Sequence, residues 1–320
     1  MAKSHMRQNT MNETYRAAHE GAVFRHRHHR GVLRVTGADR LSWLNGLVTN
    51  DVGRVPAGGS SYGLWLTPQG RIVSDLVVLE TGAETLLDVP RSLAAALSQK
   101  LDLLVFAEDV RVVDASDEIT SIEIAGPRSD DALSTCLASG MPAVAGRHVD
   151  RPVRGRVAYV LTASLAGHLE CLAHAGAVPL DDNAAETLRV EAGMPEFLVD
   201  MTDQTIPLEA GLDDAISHTK GCYVGQEIIV RIRDLAHGRV ARHLRGLLLE
   251  GDAVPPRGEA VMLEGRSVGQ ITSAVWSPAL KRPIAMAMLH RDASAPETRV
   301  VLASGTQATV AVLPFVNSSS

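Results

Sequence analysis

The residues best suited to chemistry sit in one run of eight, Lys220-Gly221-Cys222-Tyr223-Val224-Gly225-Gln226-Glu227. An ammonium, a thiol, an amide and a carboxylate lie there with two glycines among them. Glycine removes side-chain bulk and lets the backbone approach a ligand or turn through positive φ. A thiol beside a lysine stands where its thiolate is favoured for reaction or ligation. The structural alternative is a tight turn with Cys222 tucked away as a small hydrophobe. The polar residues around the thiol have no evident structural task, which favours the chemical reading. The run leads into Ile228-Ile229-Val230, which reads as a strand.

Two carboxylates stand out beside it. Glu191 falls in the last turn of a helix over Asn183 to Gly193, on the border of a face carrying Ala184 and Leu188. That is the negative end of the helix dipole, an awkward place for an acid, and it suggests a ligand. A rim glutamate paired with Arg189 or a distant lysine is the alternative. Asp75 interrupts the apolar run Ile72-Val73-Ser74-Asp75-Leu76-Val77-Val78. If it points inward it needs a partner; a solvated strand edge would need none. Arg231 and Arg233, two apart after the expected strand, share a face, and His237, Arg239 and Arg242 follow. Such a local positive cluster suits a carboxylate or phosphate ligand, or is simply a solvated face. The run Phe24 to Arg30, with three histidines and three arginines, reads as basic surface rather than a metal site.

The elements that must position these residues belong to a chain of 320 residues, long enough for two or three domains. Hydrophobic residues are 45%, so a sizeable core is available; aromatics are only 3%, which leaves few platforms for stacking single-stranded nucleic acid. A net charge of -6 disfavours duplex binding. Cys136, Cys171 and Cys222 are odd in number and widely spaced, which argues against a disulfide scaffold and a zinc site and for a reducing compartment. No apolar stretch is long enough to span a bilayer, and cytoplasm is the default location.

Strands are expected at Gly31 to Gly37, Ser61 to Leu66, Arg71 to Leu79, Thr85 to Val89, Val105 to Val113, Ser121 to Ala125, Arg156 to Thr162 and His168 to Ala173. Thr67-Pro68-Gln69-Gly70 carries turn chemistry between the second and third. Helices are expected after Asp39, Pro90, Pro127 and Asn183, the last with Asn183 and Glu186 as a capping pair and Gly193 as its stop. Ala143 to Gly155 reads as a long loop. From about Val240 only short, regularly spaced strands remain, as in a β-barrel or sandwich. The domains expected are a mixed α+β region over 1–239 and an all-β module over 240–320.

The run Lys220 to Glu227, read as KGCYVGQE, resembles the signature of the YgfZ folate-binding proteins, relatives of a mitochondrial iron–sulfur-assembly factor. The likeness continues through Val230-Arg231 and His237 to Leu244. Val35 to Asp39, Thr49 to Val52, and Arg189 to Pro195 are similar to the wider superfamily of glycine-cleavage T-proteins, the aminomethyltransferases. The resemblance spans about Gly31 to Leu313.

It implies an α+β fold of the T-protein kind: a three-part ring of two interleaved α+β portions and a C-terminal antiparallel β-barrel, with folate in a central channel. It implies tetrahydrofolate, or a one-carbon derivative, as cofactor. Glu191 matches the glutamate that grips the pterin. Lys220, Gln226, Arg231 and Arg233 join it as expected ligand contacts. Asp75 matches the region of the aminomethyltransferases' catalytic aspartate, although Ser74-Asp75 stands where those enzymes often carry two adjacent acids. Cys222 has no counterpart in the aminomethyltransferases and points to the YgfZ branch. The implied function is to bind reduced folate and support iron–sulfur assembly or repair in client enzymes, among them radical enzymes that modify transfer RNA. Cys222 is then a reactive or ligating thiol. The competing function is a one-carbon transferase acting on an amine, with Asp75 positioning the amine and folate nitrogens. No resident metal, membrane contact or duplex nucleic-acid binding is expected.

Overall fold

The structure is a computed structural model that describes residues 13–140, 143–147, 155–235 and 238–316. The chain forms two compact units. The first takes the chain up to Thr67, Val73–Asp181 and Asp214–Val224; the second takes Pro68–Ile72, Asp182–Asp213 and the chain from Gly225 on.

The first unit holds two five-stranded sheets whose strands interleave along the sequence. One has the order β3(Ser60–Leu66), β4(Ile72–Glu80), β5(Thr85–Pro90), β2(Arg30–Thr36), β6(Arg111–Asp114). The other has the order β10(Val178–Pro179), β1(Val23–His26), β7(Ile119–Ala125), β9(Gly155–Leu161), β8(Val144–Arg147). Strand parity sorts the core into layers. Leu33 and Val35 of β2 meet Ala94, Leu97 and Leu101 of helix α2(Ala94–Asp102); the short α1(Arg40–Asn45) adds Trp43 and Leu44 to that cluster. Ile122, Ile124, Ala158 and Val160 meet the helices α3(Ser129–Ala138) and α4(Leu165–His174). The opposite faces of both sheets share a third cluster of Val32, Leu79, Leu86, Ile119, Val157 and Tyr159. Each sheet is therefore covered on both faces, and β5 and β7 are buried along their whole length.

The second unit contains a closed six-stranded antiparallel barrel of β11(Arg242–Leu249), β14(Arg282–His290), β13(Arg266–Ser277), β12(Ala260–Leu263), β15(Arg299–Leu302) and β16(Gln307–Ala311). Small and aliphatic residues such as Ala285, Ala287, Leu289, Leu247 and Val261 fill it, and closure leaves no open edge. Helix α5(Asp182–Glu191) lays Val190 against Leu244, Val275 and Met286 on the barrel's outside.

Four local expectations are corrected. His168 to Ala173 is helix, not strand: Leu165, Leu169 and Leu172 recur at i, i+4 and i+7 and turn to the core together. Val105 to Val110 is a loop pinned by side chains: the Glu108 carboxylate accepts from the Phe106 and Ala107 N–H groups, Asp39 accepts from the Asp109 N–H at 2.8 Å, and only Arg111–Asp114 pairs as a strand. Within the expected loop Ala143 to Gly155, Val144–Arg147 forms an edge strand on β9. Asn183 lies inside a helix that starts at Asp182, and Glu186 turns to Arg189 instead of capping.

Candidate functional site

The eight-residue run divides between the units, Lys220 to Val224 in the first and Gly225 onward in the second. In the first, the Lys220 ammonium donates to the carbonyls of Asn45, Val48 and Asn50 at 2.6, 2.8 and 2.8 Å. It lies 5.4 Å from the centroid of the buried Tyr223 ring. Three donors meet three acceptors, so the charge staples the loop 45–50. Lys220, expected beside the thiol as a ligand contact, thus has a structural task as well. Burial draws that ammonium down to about 8, with Asp51 acting the other way. The same loop is stitched again where Thr49 Oγ1 donates to the Ala215 carbonyl at 2.6 Å. Between the anchored Lys220 and Tyr223, Cys222 is an exposed free thiol, and no atom approaches the space above Gly221 within 4 Å. The neighbours are fixed and the thiol is displayed.

Asp75 is buried on β4, facing the layer between the two sheets, so it does need the partner expected of an inward acid. Arg30 on β2 supplies it: Nη1 donates to Asp75 Oδ1 at 3.0 Å. The same guanidinium donates from Nε to Asp88 Oδ1 at 2.5 Å and from Nη2 to the Asp88 carbonyl at 2.8 Å. Asp88 on β5 also accepts from Arg27 Nη1 and, at 2.9 Å, from the Tyr159 hydroxyl on β9. Burial alone would lift the Asp88 carboxyl; Arg27, Arg30 and Tyr159 outweigh it and hold the group below the usual carboxylate range. Burial, reinforced by Arg27, Arg25 and Arg30, draws His29 down to about 3, so it is neutral at physiological pH. The run Phe24 to Arg30 is thus only partly surface: Arg27 and Arg30 are buried, while His28 is exposed. The sequence does carry a signal for this. Asp88, like Asp75, is a lone acid in an apolar strand, and two inward acids require two inward cations.

In the second unit, Glu191 ends α5 and is 2% exposed. Gly193, at φ 62°, turns the chain away two residues later. Glu191 Oε1 accepts from the Ser277 hydroxyl at 2.5 Å and from the Ala279 N–H at 3.4 Å. Ser277 is a contributor that sequence reasoning misses. Arg189 does not pair with Glu191. It donates to Glu186, to the Met194 carbonyl, to Asp200 at 2.5 Å and to Ser273 at 2.6 Å. A register shift between Ile271 and Ser273 lets Thr272 and Ser273 both reach Asp200 Oδ1, at 2.6 and 2.7 Å.

The arginine pair is a correction. After Gly225, at φ 84°, the chain forms helix α6(Gln226–Val230) and continues as a π-helix over Arg231–Leu235. Only Ile229 of the β-branched run is buried. Arg231 and Arg233, two apart on a helical path, share no face. Arg231 pairs with Glu227 at 2.9 Å and Arg233 with Asp234 at 2.7 Å, and Arg242 pairs with the buried Glu209. Gln226 is half-buried; His237 lies outside the described residues. Cys136 and Cys171, far apart in sequence, meet between α3 and α4, where burial and this contact push the Cys136 thiol up to about 12. Among the described residues, no group of three metal-ligating side chains occurs, and no helix is long and apolar enough to cross a membrane.

Residues 2–150 match the GCVT N-terminal domain, and residues 242–317 match the glycine cleavage T-protein C-terminal barrel domain. An aminomethyltransferase of Streptomyces avermitilis is 30% identical over 292 residues, 84% of this chain and 78% of that protein. One from Nostoc is 29% identical, over 81% of this chain and 74% of that protein. The solved structure of the glycine cleavage system aminomethyltransferase T from Bartonella henselae superposes with a TM-score of 0.86 at 20% identity, covering 96% of this chain and 90% of that one. That likeness extends to the mixed α+β region and the closed barrel alike.

Proposed function

The chain belongs to the aminomethyltransferase family, that of the glycine cleavage T-protein, and on that premise we propose that it binds tetrahydrofolate or a one-carbon derivative and serves iron–sulfur assembly or repair through Cys222. Its clients are then iron–sulfur enzymes, with radical enzymes that modify transfer RNA as the class the KGCYVGQE run implies. The observation that carries this reading is the display of Cys222: a lysine bound to three carbonyls and a buried tyrosine hold an exposed thiol between them. Exposed cysteine is a liability that a structural role does not require. The folate half of the reading is supported by Glu191, a buried carboxylate whose Oε1 is already oriented by Ser277 and the Ala279 N–H. Such an anion suits the paired N–H edge of a pterin. Asp75 is the second expected folate contact.

A second reading is an aminomethyl transfer from an amine donor, favoured by the names of the relatives and by the arginine-held carboxylate of Asp75. Complementation of a strain lacking its own homologue separates the two. Cys222→Ser abolishes rescue of iron–sulfur enzyme activity under the first reading, while Asp75→Asn is the stronger lesion under the second. A Cys222→Ser protein that rescues fully overturns the thiol's role. Reduced-folate binding to Glu191→Ala, measured by calorimetry, is expected to fall at least about tenfold, the loss of one charged hydrogen-bonded contact.

A further inference from the structure

Among the described residues, Arg30 is the side chain that links the hub between the sheets to the candidate carboxylate. Its Nε and Nη2 are both committed to Asp88, and Asp88 is fully buried, with Arg27 and Tyr159 on its other oxygen. The guanidinium is planar and rigid, so two fixed nitrogens fix the third. That third nitrogen, Nη1, is the donor to Asp75 Oδ1. Asp75 differs from Asp88 in keeping contact with solvent, its side chain 11% exposed against 0%. Its Oδ2 has no hydrogen-bond partner among the described residues.

We propose that Arg30 is a positioning residue: held by Asp88, it takes up one oxygen of Asp75 and leaves the other directed to an N–H of the bound ligand. This rests on the reading of Asp75 as a ligand contact. It adds a residue outside every motif that marks the family in this sequence, and it gives Asp88 and Tyr159 a function at one remove. The charged and titratable groups around the pair are Arg30 on β2, Asp88 on β5, Arg27 and His29 between β1 and β2, Arg25 on β1, Glu123 on β7 and Tyr159 on β9. Arg25 is taken by Glu123 at 2.7 Å, and His29 is neutral, so Arg30 is the cation that reaches Asp75. Without it, a proton competes with the ligand for an unpaired, part-buried carboxylate.

The test is calorimetric binding of 5-formyltetrahydrofolate to the full chain at acid, neutral and mildly alkaline pH, for wild type, Asp75→Asn, Arg30→Gln and Arg30→Lys. Asp75→Asn reports on the underlying reading alone: affinity at neutral pH falls about tenfold if Asp75 contacts the ligand, and wild-type affinity there overturns that reading. Arg30→Gln reports on the proposal. Its deficit relative to wild type is expected to grow by about tenfold for each pH unit of acidification once the carboxylate starts to protonate. Arg30→Lys, which keeps a charge but not the fork, restores the pH profile and leaves affinity lower. A profile for Arg30→Gln parallel to wild type, alongside a weakened Asp75→Asn, refutes the positioning role and leaves the contact intact. Should Arg30→Gln fail to fold, Arg30→Lys decides on its own: affinity equal to wild type at every pH means the fork positions nothing.

Discussion

Each compact unit buries a knot of arginine and aspartate, and the two knots are finished differently. In the second unit Arg189 has all three nitrogens occupied, by Glu186, Met194, Asp200 and Ser273. Asp200 in turn takes Thr272, Ser273 and the Glu196 N–H besides Arg189. In the first unit Arg27 Nε has no partner among the described residues, and Asp75 keeps one oxygen unbonded and partial contact with solvent. A fully satisfied polar network rigidifies what it joins, here the end of α5 against β13. An unfinished one has capacity left for something else. The contrast separates a knot that fixes geometry near Glu191 from a knot that presents Asp75.

The largest effect expected from breaking that contrast is at Asp88. Asp88→Ala strands two buried guanidiniums, and a cost of about 3–5 kcal/mol is expected in urea unfolding. The pH dependence follows from the direction of the shift. Asp88 is held below its ordinary value of 3.8, so the unfolded chain takes up the proton first. Its stabilisation is complete above that ordinary value and is lost as pH falls toward the lower, folded one. Asp88→Asn removes this contribution, so its stability changes less with acidification over that window than wild type's. An equally steep acid limb in the variant shows that other carboxylates set the acid stability.

Arg189→Met probes the finished knot. Asp200 is left without its guanidinium but keeps two hydroxyls and an N–H, so the expected loss is smaller, about 2–3 kcal/mol. A loss exceeding that of Asp88→Ala inverts the ranking of the two knots.

Much of this is legible in the sequence, and the illegible part has physical reasons. The all-β module announces itself through short strands at even spacing, which suit a barrel or a sandwich alike, and the end of α5 through Gly193. Asp75 shows as an acid in an apolar run, and the structure supplies the partner it needs. Arg27 and Arg30 do not show, because the polar run from Arg25 to Arg30 looks solvated until the sheet across from it is known. The segment Ile228 to Val230 misleads in the other direction. Its β-branched residues suit a strand, but Gly225 in the left-handed region starts a helix, and tertiary context decides. Lys220 is recognisable as unusual, yet nothing local tells that its acceptors lie in a loop some 170 residues earlier.

The smallest expected effect on stability is at Cys222, and its smallness is the informative part. Lys220 and Tyr223 are what the fold uses in that segment; the thiol between them touches no core and is exposed. Cys222→Ser therefore changes unfolding free energy by no more than about 0.5 kcal/mol, the range of surface substitutions away from special features. Lys220→Met, which gives up three carbonyl bonds, costs more in the same assay. Equal losses mean that the thiol packs, and the display argument falls. A silent Cys222→Ser in urea, paired with a failed rescue in cells, places the residue's value in chemistry alone.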